Sequence, residues 1–164
     1  LLKIIKELIM NNKVAILLGS KTDLPLIEPS MPYYKHFGIE VEVHVMSAHR
    51  NPNDVGKFAS EARDNGYSIL VGSAGMSAHL AGALKAHSTL PVIGIPLPGG
   101  MMDGLDSLLS TVNMPKGVPV ATVSMGKAGA INAAVLCAEI FSLNDSSLVA
   151  KLAEFKDNGC MLNV

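Results

Sequence analysis

The chain of 164 residues has no tryptophan and only three tyrosines and four phenylalanines. A site that stacks a flavin between aromatic walls has little to draw on, and Phe58, Phe141 and Phe155 fall in helix-like segments. Cysteine is also scarce. Cys137 sits in an apolar helical run and Cys160 near the tail, with no CxxC, which reads as a reduced cytoplasmic chain without disulfides or structural zinc. Charged residues make up 16% of the chain, against roughly 25% in a typical globular protein. The net charge of −1 leaves no basic footprint for nucleic acid or an anionic membrane.

Uninterrupted apolar runs are missing as well. The uncharged stretch from Asn65 to Leu84 is broken by glycines and serines, and that from Ala86 to Met102 by Pro91, Pro96 and Pro98. Neither reads as a membrane span. There is no GxxxxGK[ST] loop and no GxGxxG fingerprint. His36, His44 and His87 lack the spacing of a metal cluster.

What is present is apolar residues, 49% of the chain, arranged in short runs that alternate with helix-like segments. The runs Val14–Leu18, Glu40–Val45, Ser68–Gly72, Val92–Ile95 and Val120–Val123 predict five strands. Most lack a polar alternate face, as expected of parallel strands covered on both sides by helices. Helices fit Asn53–Asp64, Ala78–Ala86, Leu105–Thr111, Ala128–Phe141 and Ser147–Lys156. Asn51 is placed to cap the first of these, with Pro52 at its first position. Between Leu24 and Phe37 the prolines 25, 29 and 32 predict a kinked or shortened helix, regular near Tyr33–Phe37. The expectation is a single α/β domain, a three-layer sandwich on a five-stranded parallel sheet. Residues 1–12, with apolar positions at Leu1, Ile5, Leu8 and Ile9, read as an extension or packing helix, and 144–164 as a C-terminal helix and tail. The shortage of charge implies either surface buried against other copies of the chain or an unusually apolar monomer.

Three loops follow strands at one edge of this sheet, where open α/β folds bind ligands. The most informative is Ser47-Ala48-His49-Arg50. A histidine titrates near neutral pH, and an arginine grips phosphate through parallel hydrogen bonds, so the pair suggests proton transfer on a phosphorylated small molecule. The plainer alternatives are a histidine bonded to a backbone carbonyl and a surface ion pair. In Gly19-Ser20-Lys21-Thr22-Asp23, the glycine permits close backbone approach, while Ser20 and Asp23 either contact an anion or cap a helix. The third loop, from Gly72 to His79, carries the small residues Ser73 and Gly75, which clear room for a planar ligand. Ser77 is a candidate helix cap, and His79 is either a second polar contact or a packed histidine satisfied locally. Asp103 and Asp106 offer paired carboxylates, or a glycine turn with helix caps.

In combination these segments resemble the PurE family. The likeness is carried by residues 19–23, Ser47-Ala48-His49-Arg50, Ala78-His79-Leu80, the run GLDSLLS at 104–110, and MPKGVPVATV with GKAGAINAA between 114 and 134. It runs from about Val14 to Phe141. The resemblance implies a flavodoxin-like sheet, a homo-octamer with sites near subunit boundaries, a ribonucleotide substrate and no cofactor or metal. It makes 13–143 the catalytic domain. Arg50, the Ala-His-Leu loop and GLDSLLS resemble class I, which interconverts 5-(carboxyamino)imidazole ribonucleotide and 4-carboxy-5-aminoimidazole ribonucleotide in purine biosynthesis. Class II members carboxylate aminoimidazole ribonucleotide directly, with lysine after the histidine and an Arg-Ser-Asn loop. By this resemblance His49 is the acid/base. Ser20 and Asp23 hold the phosphate and ribose region, Arg50 the phosphate, and Ser47 lines the pocket. Ser73, Gly75 and His79 belong to the substrate loop. Met76 and Ser77 stand where Gly and Ala are frequent, Ala81 where proline is common, and 97–102 departs from the usual polar stretch. The alternatives are a class II-type or related ring carboxylase and, from another class, a noncatalytic flavin- or nucleotide-binding module.

Overall fold

In the computed structural model, which describes residues 11–162, five parallel strands form one sheet in the order β2-β1-β3-β4-β5. They are β1 Lys13–Leu18, β2 Glu40–Val45, β3 Ile69–Ala74, β4 Val92–Pro96 and β5 Ala121–Thr122. The helices are α1 Leu24–Ile27, α2 Met31–Phe37, α3 Pro52–Glu61, α4 Leu80–His87, α5 Leu105–Val112, α6 Gly126–Ser142 and α7 Ser147–Asp157. The possible N-terminal packing helix lies outside the described residues. Among those described, no helix is long and apolar enough to cross a membrane.

Side-chain alternation along the strands divides the core into two halves. Val14, Ile16 and Leu18 of β1 point with Val71 and Ile93 toward α2, α6 and α7, where Phe37, Phe141 and Phe155 are buried. Ala15 and Leu17 point the other way, with Leu70 and Val92, onto Val55 and Ala59 of α3 and Leu84 of α4. Both faces being covered explains why these strands read as continuous apolar runs. Close approach on the second face depends on glycine. A Cβ at Gly72 would sit 2.7 Å from Ala81 Cα, so α4 is seated directly against β3.

The edge strand β2 differs. Glu40, Glu42 and His44 alternate along it, and Lys13 bridges to Glu40 at 3.2 Å and Glu42 at 2.7 Å. Tyr67 donates its hydroxyl to Glu42. Burial and the Glu42 carboxylate push the tyrosine up to about 12. His44, 3.3 Å from the Tyr67 hydroxyl, belongs to this structural cluster. Charged groups of this kind blunt an edge against unwanted pairing.

The proline-rich crossover breaks as its composition predicts. Each of Pro25, Pro29 and Pro32 opens its own short segment: α1, the 3-10 turn Glu28–Ser30, and α2. A first-turn proline sacrifices no internal hydrogen bond, so three starts replace one helix. The regular portion begins at Met31 and ends at Gly38, whose φ of 71° terminates it.

Three local expectations are corrected. β3 runs on to Ala74, pairing Ser73 with Leu18 on one side and Ile95 on the other, so Ser73 is sheet rather than loop. α4 starts at Leu80 with His79 at the cap position, and Ser77 does not cap it. The Ala78 N–H is taken instead by Ser110 Oγ on α5, at 3.0 Å. Asn51 does sit before α3 but makes no side-chain cap bond; its Oδ1 accepts the Ser47 N–H at 3.4 Å.

Candidate active site

A cleft of about 620 Å³ opens at the carboxyl ends of the strands. β1 lies between β2 and β3; the chain leaves β1 toward β2 and leaves β3 toward β4, in opposite directions, and the loops after all three strands converge there. That is the topological switch point where doubly wound sheets bind ligands. Its wall is made by 19–20 and 22–23 after β1, 47–50 after β2, 74–77 and 79–80 from the end of β3 onward, and 98–100 after β4.

At its centre His49 Nε2 and His79 Nδ1 are 2.8 Å apart, with ring centroids at 4.9 Å and planes crossing at 81°. One proton joins the two nitrogens, since two facing N–H groups cannot occupy that distance. His79 is therefore exposed in the cleft against His49, not packed in the core. Standing at the cap position of α4, it turns its imidazole to His49 instead of capping the helix.

Arg50 is exposed, and its Nη2 donates to the carbonyl of Gly19 at 3.2 Å, tying the second loop to the first. One contact leaves most of its five donors free. Ser47 Oγ accepts the Arg50 N–H at 3.3 Å, which tightens the turn that presents both residues. In the first loop Ser20 and Asp23 cap a helix and also face the cleft. Ser20 Oγ accepts the Thr22 N–H at 3.3 Å and Asp23 accepts the Ser20 N–H at 3.0 Å, a reciprocal capping box, while both residues line the cleft. Burial pushes the Asp23 carboxyl up, with hydrogen bonds from Ser20 and Thr22 pulling the other way.

Gly75 lines the cleft beside Leu97 and Pro98; a Cβ there would meet Leu97 Cβ at 3.8 Å. Ser73 does not reach it. Fully buried, its Oγ donates to the Ile95 carbonyl at 3.3 Å and knits β3 to β4. Asp103 and Asp106 also stay out of the wall. Their carboxylates accept the N–H groups of Gly99 and Met101, at 3.3 and 3.0 Å, and fix the loop after β4. Among the described residues, no three His, Cys, Asp or Glu side chains gather to hold a metal ion.

Sequence reasoning left out Thr22, Ser77 and the Pro98-Gly99-Gly100 segment, all part of the wall. The usable signal was topological: residues 98–100 follow β4 at the same sheet edge as the other loops. The rim is also strained. Met76, Met102 and Asp103 have φ of 55°, 49° and 53°, a left-handed conformation costing a non-glycine residue about 1–2 kcal/mol each.

Fold and cleft define an α/β protein of flavodoxin-like topology with a histidine-centred small-molecule site. The AIR carboxylase family model matches residues 13–160, and the chain belongs to that family. It is 41% identical over 145 residues to the N5-carboxyaminoimidazole ribonucleotide mutase of Vibrio parahaemolyticus, covering 88% of this chain and 90% of that protein. Against the protein of that name from Bacillus subtilis the identity is 43% over 149 residues, covering 91% and 92%. The crystal structure of Treponema denticola PurE superposes with a TM-score of 0.81 at 29% identity, over 90% of this chain and 91% of that one.

Proposed function

We propose that this protein interconverts 5-(carboxyamino)imidazole ribonucleotide and 4-carboxy-5-aminoimidazole ribonucleotide in purine biosynthesis, as an isomerase. The observation that carries the reading is the His49–His79 pair, 2.8 Å apart in the cleft that also holds Arg50. Arg50 grips the substrate phosphate, with Ser20 and Asp23 on the phosphate and ribose region, and Ser47 and Gly75 lining the pocket.

His49 delivers a proton to the exocyclic nitrogen as its bond to the carboxylate carbon breaks, giving aminoimidazole ribonucleotide and carbon dioxide. The electron-rich ring carbon then attacks that carbon dioxide. His49 takes up the proton this carbon loses, and aromaticity returns. The proton count closes within one cycle, so a single imidazole serves as acid and then base. His79 Nδ1 holds the His49 ring in place between transfers. Enclosure keeps the carbon dioxide beside the ring, replacing a bimolecular encounter with a local one. Among the described residues, no aromatic side chain other than the two imidazoles lines the wall, which speaks against stacking a flavin.

The test supplies purified protein with the carbamate ribonucleotide in bicarbonate-free buffer. Conversion to the carbon-carboxylated product is expected. Activity only with aminoimidazole ribonucleotide plus bicarbonate would make it a direct carboxylase, and no turnover of either would remove the reading.

The protein acts in this reading as a cytoplasmic homo-octamer, the assembly its family resemblance implies. Leu105, Leu109 and Val112 form a stripe along α5 that is 38%, 54% and 46% exposed, an apolar face suited to another copy of the chain. Sedimentation should give a particle of eight 17.2 kDa chains; a monomer at working concentration would reject it.

A further inference from the structure

We propose that Met76 is a specificity-determining residue whose thioether side chain covers the bound imidazole ring and retards loss of carbon dioxide from the cleft. The inference rests on the mutase reading above. Three observations support it.

Met76 is part of the cleft wall with φ of 55°, a conformation in which glycine sits without strain. The fold alone gives no reason for a methionine here. Its side chain is 68% exposed, so its strain is not offset by packing in the core. Elsewhere on the rim a return is visible: Asp103, equally left-handed, uses its carboxylate to accept the Gly99 N–H.

The backbone on either side of Met76 is held. Ser110 Oγ accepts the Ala78 N–H at 3.0 Å and lies 3.4 Å from the Met76 carbonyl. Ser77 O accepts the His79 N–H at 2.8 Å, and Gly75 rests against Leu97 and Pro98. Strain persists where the surroundings over-determine it, and such positions gather at ligand clamps. The loop that fixes Met76 also carries His79, and both residues line the cleft that holds His49.

The chemistry suits the residue. A thioether is flexible and polarizable and packs well against an aromatic ring, which an imidazole supplies. Carbon dioxide is apolar and uncharged. When the carbamate bond breaks, the ring carbon must capture it before it diffuses away, or aminoimidazole ribonucleotide and carbon dioxide are released as a leak. An apolar cover that excludes water favours capture over escape.

The test compares wild type with Met76→Ala, Met76→Gly and Met76→Leu for KM, for free aminoimidazole ribonucleotide released per turnover, and for thermal midpoint. Loss of one thioether–aromatic contact should raise KM about 2–10-fold in the alanine and glycine variants, with a matching rise in leak. Leucine, which restores bulk, should recover most of the loss. Glycine alone should raise the thermal midpoint, because it alone relieves the strain. An alanine variant with wild-type KM and leak would overturn the proposal. So would one with unchanged KM but altered particle mass, which would make Met76 a subunit contact. If wild type fails to convert the carbamate at all, the mutase reading falls and takes this proposal with it.

Discussion

Replacing His49 with asparagine should lower kcat about 10²–10⁴-fold, the usual contribution of a positioned proton carrier, while leaving KM within a few-fold. The amide fits inside the space of the imidazole and matches its Nδ1 edge, so only the contact that His49 Nε2 makes with His79 Nδ1 at 2.8 Å is given up. It cannot carry a proton at neutral pH. Because His49 is exposed at a loop tip and packs in neither half of the core, the substitution should cost little stability. The measurement is steady-state turnover of the carbamate ribonucleotide, with substrate binding followed separately by calorimetry. Binding should survive, since the proposed binding mode gives the phosphate to Arg50 and the first loop. Wild-type turnover in this variant would remove His49 from its role, and loss of binding with loss of fold would make it structural.

The sheet was legible because its central strands β1, β3 and β4 are buried on both faces and announce themselves as apolar runs between breakers. Val14–Leu18 and Val92–Ile95 needed no other information. The second loop was legible for the same reason: His49 and Arg50 stand directly between a strand-like run and the Asn51-Pro52 helix start. The partnership of His49 with His79 was not. Thirty positions separate the two histidines, and they meet because β1 lies between β2 and β3 and the loops after those strands arch over its end. Ser73 failed in the opposite direction. A serine after glycine looks like a loop, yet pairing with β1 and β4 carries the strand past it and buries its hydroxyl against Ile95. For residues 98–100 the position after β4 was a signal, but their turn into the wall depends on the positive φ of Gly99 and Gly100, which only the folded chain displays. The low charge content was legible as a fact of composition; the exposed apolar stripe on α5 was not, because it needs the helix's orientation.

Arg50→Ala should act on the other half of the reaction coordinate from His49. Its guanidinium spends one donor on the Gly19 carbonyl at 3.2 Å, and this contact holds the side chain across the mouth of the first loop. The remaining donors stay in a fixed fork, the geometry that matches a phosphate. Hydrogen bonds to a charged group are worth about 1.5–3 kcal/mol, so losing the clamp should raise KM roughly 10–100-fold. Because the phosphate is remote from the atoms that exchange protons, kcat should change far less. Arg50→Lys sharpens the prediction. Lysine keeps the charge but not the fork, so it should restore part of the affinity and leave the KM above wild type. The loss should also shrink as salt rises, since screening weakens the wild-type attraction more than that of the neutral variant. Measuring KM for all three proteins at low and high ionic strength checks each step. An alanine variant with unchanged KM would place the phosphate elsewhere, and a fall in kcat alone would move Arg50 from anchoring the substrate to its chemistry.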